Sequence, residues 1–404
     1  MLAGSWDKSY ERKAVSLMAI GFVLVVLDRF IINPLFPIMQ RELGLSYRNL
    51  GLISAVVALT WGVGSIGSGP ISDRWGRKPV IVSAVFAFSL LAAATGLATG
   101  LLGLVAIRAV MGLAEGSYAP SSVVVIAEAS KPGRVGLNMG LQQTGAMLVG
   151  FGLGPVIAVG LLKVLPSWHW VFAVVAVPGV IAAAVMMKVL RSGSRAVEPA
   201  QETPDAVGFR QVLRHRNVIF NAIGMCLYLT SLLTLTAFMP NYLTDHLGLD
   251  LDRMGGVLSG QGVGSALGMA ALPAISDRFG RKPVMIVALI VEFLALWALM
   301  GIGADAVALF VALFVATFMN FGVVGINMGP LTTDSVPAAV AATATGLVIG
   351  VGEIFGGALA PAIAGGVADA MGIAVVIKIA LAAVVLALVN LVFGVREPKP
   401  FARS

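Results

Sequence analysis

Cysteine occurs once in the 404 residues, at Cys226, so no intrachain disulfide can form. Histidine occurs three times, as His169, His215 and His246, scattered without metal-ligand spacing, so no metal site or redox centre is expected. No set of nucleophile, base and orienting residue stands out either, and neither an enzyme nor an organic cofactor is expected. Charge is scarce: Asp, Glu, Lys and Arg make up 12% of the chain, where a soluble domain carries about 25%. The net charge of +7 has no soluble domain to sit on, so it fits anionic lipid headgroups, and no nucleic-acid partner is expected.

What the sequence has instead is apolar length. Hydrophobic residues make up 58% of the chain and the mean hydropathy is +0.95. They recur in blocks of about 20 or more, the length a helix needs to cross roughly 30 Å of hydrocarbon. The blocks are continuous, whereas barrel strands alternate over roughly 10 residues, so the fold class is all-α membrane protein. Turn signals place spans near 14–36, 50–71, 79–99, 101–127, 136–163 and 168–190, then 217–243, 254–275, 283–303, 305–331, 339–367 and 371–394. The first block contains Asp28 and Arg29 and no small-residue cleavage site follows it, so it reads as a retained helix.

Twelve spans divide into two sets of six. Residues 191–216 form a polar, arginine-bearing linker that hydrocarbon would not accept, leaving bundles at 1–190 and 217–404. An internal repeat supports the division: the string from Ile71 to Val80 recurs from Ile275 to Val284, differing only at Trp75 and Phe279. In both copies a glycine, Gly76 or Gly280, makes the turn, and a proline, Pro79 or Pro283, suits the first turn of the next helix. With the N-terminus cytoplasmic, 20 of the 27 basic residues fall inside and four outside (Arg41, Arg48, Lys163, Arg253), which predicts both termini in the cytoplasm.

Charges inside the spans are costly and therefore mark candidate functional positions. Asp28 and Glu115 each lie about 14 residues into oppositely directed helices, near the bilayer midplane. Arg108 and Glu115 are two turns apart on one helix face, about 10 Å along the axis, while Asp28 and Arg29 point about 100° apart. The positions of the second half equivalent to these four residues are not ionisable; its own mid-span carboxyls are Glu292 and Glu353, the former placed to face another helix. Gln142, Tyr228 and Asn327 are polar residues on other spans able to complete a substrate site or to bond helix to helix. Glycine pairs at Gly150 and Gly154, Gly346 and Gly350, and Gly352 and Gly356 predict close helix approach.

Gly69, Asp73, Gly76, Arg77 and Lys78, repeated as Asp277, Gly280, Arg281 and Lys282 with Pro273 in place of the leading glycine, resemble the signature loop of the major facilitator superfamily. The resemblance implies the major facilitator fold, two pseudo-symmetric six-helix bundles working by alternating access, and a gate at the cytoplasmic ends carried by Asp73, Arg77 and Glu128 with Asp277 and Arg281. Asp28 and Arg29 with Arg108, Gly112 and Glu115 resemble the anion:cation symporter subfamily. That likeness implies proton coupling at Asp28 and Glu115, tuned by Arg108, with Arg29 clamping the carboxylate of the substrate. Glu353 stands where that subfamily more often has an asparagine contacting substrate, so it joins the candidate substrate residues. The same residues, followed by Gly116-Ser117-Tyr118, resemble the spinster-like lipid transporters. The expected function is proton-coupled symport of a small organic anion, a carboxylate, with protons as coupling ion; the alternative is proton-driven export of an amphipathic compound or lysophospholipid. The expected setting is the lipid bilayer of the cell inner membrane, as a monomer.

Overall fold

The computed structural model describes residues 6–131, 133–191, 212–337 and 340–398, and there the chain is helical. Twelve long helical segments follow one another: α1 (Lys8–Leu43), α2 (Tyr47–Trp75), α3 (Arg77–Thr95), α4 (Leu101–Ala129), α5 (Val135–Val164), α6 (Trp168–Val189), α7 (Arg216–His246), α8 (Leu251–Phe279), α9 (Arg281–Gly301), α10 (Ala306–Leu331), α11 (Thr343–Met371) and α12 (Val375–Gly394). Eleven of them are long and apolar enough to cross a membrane. The exception, α8, is long enough, but its glycines and Ser259, Gln261 and Ser265 dilute its apolarity. This is a multi-pass membrane protein.

The helix ends follow local chemistry. Asp7 caps α1 by accepting from the Ser9 and Tyr10 N–H groups, Asp250 caps α8 through Arg253 N–H, and Asp305 caps α10 through Val307 and Ala308. In the repeated loop Gly76 has φ +89° and Gly280 φ +90°, a region costly to any residue with a Cβ, which is why both copies carry glycine there. α1 is interrupted at Ile31, where Pro34 withholds the N–H that the Phe30 carbonyl would accept. Wider, π-type turns occur at Ala146–Leu153, Tyr242–His246, Asn327–Leu331, Gly352–Leu359 and Asn390–Gly394.

The chain divides into two compact units: residues 1–44 with 59–196, and residues 45–58 with 197–404. The predicted linker lies largely outside the described residues. The first unit is built around Met18, Leu24, Phe88, Tyr118, Ile126 and Met186. Tyr118 is fully buried in this core, where its hydroxyl donates to the Met18 carbonyl at 2.7 Å across α4 and α1. Gly150 of α5 lies against the main chain of α1 at Val23 and Leu27, as its spacing predicts.

In the second unit α8 and α10 meet along a seam. Gly260, Gly264 and Gly268 each face a main-chain carbonyl, of Phe310, Phe314 and Phe318 in turn, so closely that a Cβ would press on those oxygens. The three phenylalanines stack along α10 with centroid separations of 6.5 and 6.0 Å. Thr317 Oγ1 adds a hydrogen bond to the Gln261 carbonyl at 3.0 Å. Gly352 and Gly356 of α11 pack on Met225 and Cys226 of α7 as predicted, whereas Gly346 and Gly350 meet nothing within 4 Å. The start of α2 belongs to this unit: Asp369 accepts from the Tyr47 and Arg48 N–H groups at 2.9 and 3.0 Å, and Gly365 lies against the Tyr47 carbonyl.

Candidate functional site

In the first unit Asp28, Arg108 and Glu115 are brought together in the helix core, with exposures of 2%, 1% and 0%. The break in α1 comes three residues after Asp28, and α4 presents Arg108 and Glu115 two turns apart on one face. Arg108 does not spend its hydrogen bond on a carboxylate. Its Nη1 donates to the main-chain carbonyl of Asp28 at 2.9 Å, and its guanidinium lies 5.9 Å from the Phe172 ring centre. Nε and Nη2 of Arg108, Oδ1 of Asp28 and both carboxyl oxygens of Glu115 have no hydrogen-bond partner among the described residues. The charges of Arg108 and Glu115 act on Asp28, and those of Arg29 and Arg108 act on Glu115.

Arg29, predicted to point away from Asp28, is half-buried and lies 5.6 Å from both the Phe30 and Trp61 ring centres. These aromatic faces hold the guanidinium in place. Gln142 takes the helix-to-helix alternative: buried, its amide donates to Ser122 Oγ at 2.9 Å and to the Met18 carbonyl at 3.3 Å.

The second unit has no counterpart charge pair in its core among the described residues. Tyr228 of α7 is buried, and its carbonyl accepts from Asn320 Nδ2 at 3.3 Å. Asn327 donates to the Asn221 carbonyl at 3.0 Å, and Asn221 in turn donates to Thr332, which donates back to the Asn327 carbonyl. Glu353 sits half-buried on the π-type turn of α11, its carboxyl alongside Gly357. Glu292 faces α7 and α10, bonded to Ser231 and Asn320. The Asn221–Thr332 bridge and the partners of Glu292 escaped the sequence; intramembrane asparagine and glutamate were visible signals, but which helix each one meets was not.

At the predicted gate, Arg77 pairs with Glu128 between the starts and ends of α3 and α4. The Asp73 side chain lies outside the described residues. Arg281 pairs with Asp277 at 2.5 Å, and also with Asp334 at 3.5 Å and Ser276 at 2.7 Å. Glu397, which sequence reasoning did not single out, accepts from the Arg281 and Lys282 N–H groups, both at 2.7 Å. It satisfies a helix start with an anion, the arrangement favoured by the helix dipole.

Among the described residues no group of three or more His, Cys, Asp or Glu could hold a metal. A family model described as "Major Facilitator Superfamily" matches residues 18–354. The sialic acid transporter NanX of Escherichia coli (strain K12) is 25% identical over 96% of this chain and 96% of its own length. The hexuronate transporter of Bacillus subtilis (strain 168) is 26% identical over 64% of this chain and 63% of its own. A solved bacterial homolog of the human lysosomal transporter Spinster, in an inward-facing, occupied conformation, superposes with a TM-score of 0.77 over 96% of both chains at 16% identity, a likeness of fold.

Proposed function

This chain belongs to the Major Facilitator Superfamily and is a membrane transporter, and from that premise we propose that it carries a small organic carboxylate together with protons, in the same direction, by alternating access. The observation that carries the reading is the buried set of Asp28, Arg108 and Glu115, in which the arginine is tied to a main-chain carbonyl and both carboxyl groups keep oxygens without hydrogen-bond partners. Asp28 and Glu115 balance the guanidinium groups of Arg108 and Arg29, so an incoming substrate carboxylate brings a surplus negative charge. A proton on Asp28 or Glu115 offsets that charge, so proton binding and anion binding favour each other; linkage of this kind is reciprocal. Arg29, held against Trp61 and Phe30, is the group that receives the carboxylate. That relatives are named for sialic acid and hexuronate supports a carboxylate substrate and makes these two the first to try. The protein works in the cell inner membrane as a monomer with both termini in the cytoplasm.

Reconstituted protein should accumulate a hexuronate or sialic acid when the vesicle lumen is made alkaline, and Glu115→Gln should lose that driven uptake while keeping substrate exchange. Uptake that is the same with and without the proton gradient, or a Glu115→Gln variant that still concentrates substrate, overturns the coupling. Efflux of a lysophospholipid against its gradient, with no carboxylate uptake, would replace symport with the spinster-like export reading.

A further inference from the structure

Glu292 is the ionisable group that the coupling mechanism does not use. It projects from the middle of α9 and is 1% exposed. Its Oε1 accepts twice, from Ser231 Oγ of α7 at 3.0 Å and from Asn320 Nδ2 of α10 at 2.8 Å, while Oε2 is buried without a partner. Among the described residues, the groups that face it carry no positive charge. The charged residues of α7 and α8 lie at the ends of those helices, α10 has none within its span, and Lys378, the one charge within α12, is exposed. The phenol of Tyr228 is a titratable group within electrostatic range. An ionised carboxylate here would be a lone buried anion, with a cost of several kcal/mol and one oxygen left unsolvated. A neutral acid fits the same contacts: its carbonyl oxygen takes the two donors, and its hydroxyl becomes a donor itself.

The cluster also reaches the main chain of Tyr228, one of the candidate substrate residues. Asn320 donates both to Glu292 and to the Tyr228 carbonyl, and Ser231 sits one turn along α7 from Tyr228. We propose that Glu292 is a permanently protonated positioning residue: a neutral hydrogen-bonding hub on α9 that fixes, through Asn320 and Ser231, the turn of α7 bearing Tyr228. It holds a proton but does not hand it on. The part of this inference that concerns substrate rests on the transport reading above; the protonation state does not.

Two measurements test it. Infrared spectroscopy of the purified protein in lipid should show a protonated carboxyl band that is lost in Glu292→Gln and is unchanged across about pH 5 to 9, a range that brackets ordinary carboxyl and histidine titration. In transport, Glu292→Gln should keep the KM and the proton dependence of the parent. Glu292→Ala, which strands Ser231 and Asn320, should raise KM about tenfold with the proton dependence retained, the order expected when buried donors lose their acceptor. Should Glu292→Ala fail to fold, Asn320→Ala in its place should give the same rise in KM. A band that titrates within that range, a Glu292→Gln variant that loses gradient-driven uptake, or variants without any change in KM overturn the proposal. If no substrate is transported at all, the infrared result still decides the protonation state.

Discussion

The two bundles share a repeated loop and a helix count, yet they solve the problem of burying polar atoms in opposite ways. The first concentrates charge: Asp28, Arg108 and Glu115 lie in one core with several of their polar atoms unsatisfied. The second avoids charge. Its deepest polar groups are amides, hydroxyls and a lone carboxyl, and α8 meets α10 through glycines set against phenylalanine carbonyls. The comparison teaches that repetition of a fold need not repeat the way its polar groups are buried.

The sharpest way to break this contrast is to remove the cation of the first bundle. Arg108→Ala leaves two buried carboxyls without their guanidinium and should cost about 3–5 kcal/mol, the range for stripping one partner from a buried ionic set. Adding Glu115→Gln should return part of that loss, which thermal unfolding in detergent would show; a double variant no more stable than the single one would mean the cluster is not held by charge. Next in size is a steric insult to the second bundle. Gly268→Val drives a side chain into the Phe318 carbonyl and should cost on the order of 1–3 kcal/mol, independent of pH and salt. Gly346→Ala, which meets nothing within 4 Å, should cost close to nothing and serves as the control.

The smallest effect lies at the start of α1. The Tyr10 N–H, with help from the Arg191 guanidinium, holds the Asp7 carboxyl below the usual carboxylate range. A carboxyl whose pKa falls on folding adds stability that is full above its unfolded value and disappears as the pH drops through the folded one. Asp7→Asn keeps the helix cap but not the ion pair. It should therefore lower the melting temperature slightly at neutral pH, with the two proteins converging as the pH falls through the lowered folded-state value of Asp7. A gap that persists in acid would assign the effect to the cap instead of the charge.

Much of this was legible in the sequence because membrane helices announce themselves by length and apolarity, and because Asp28, Arg108 and Glu115 stand out where charge is scarce. Helical spacing was enough to put Arg108 and Glu115 on one face. Spacing could not show that Arg108 would bond a main-chain carbonyl, since that depends on the position of α1 beside α4. Nor did it reveal the α8–α10 seam. With 48 glycines in the chain, spaced pairs are common, and those at Gly346 and Gly350 turned out to face open space while Gly260, Gly264 and Gly268 carried a helix contact. Partners distant in sequence, such as Glu397 for the start of α9 and Asp369 for the start of α2, are beyond any local pattern.

The glycine seam has a consequence for how the two halves tolerate change over generations. Every single-base change that replaces a glycine codon with another amino acid introduces a Cβ, so at Gly264 and Gly268 each such missense change meets a backbone oxygen that has little room to move. A charged core can exchange aspartate for glutamate, or lysine for arginine, and shift its substrate by degrees. The glycines of α8 have no such neighbouring solutions, so along this seam a random change at Gly264 or Gly268 is the kind most readily lost.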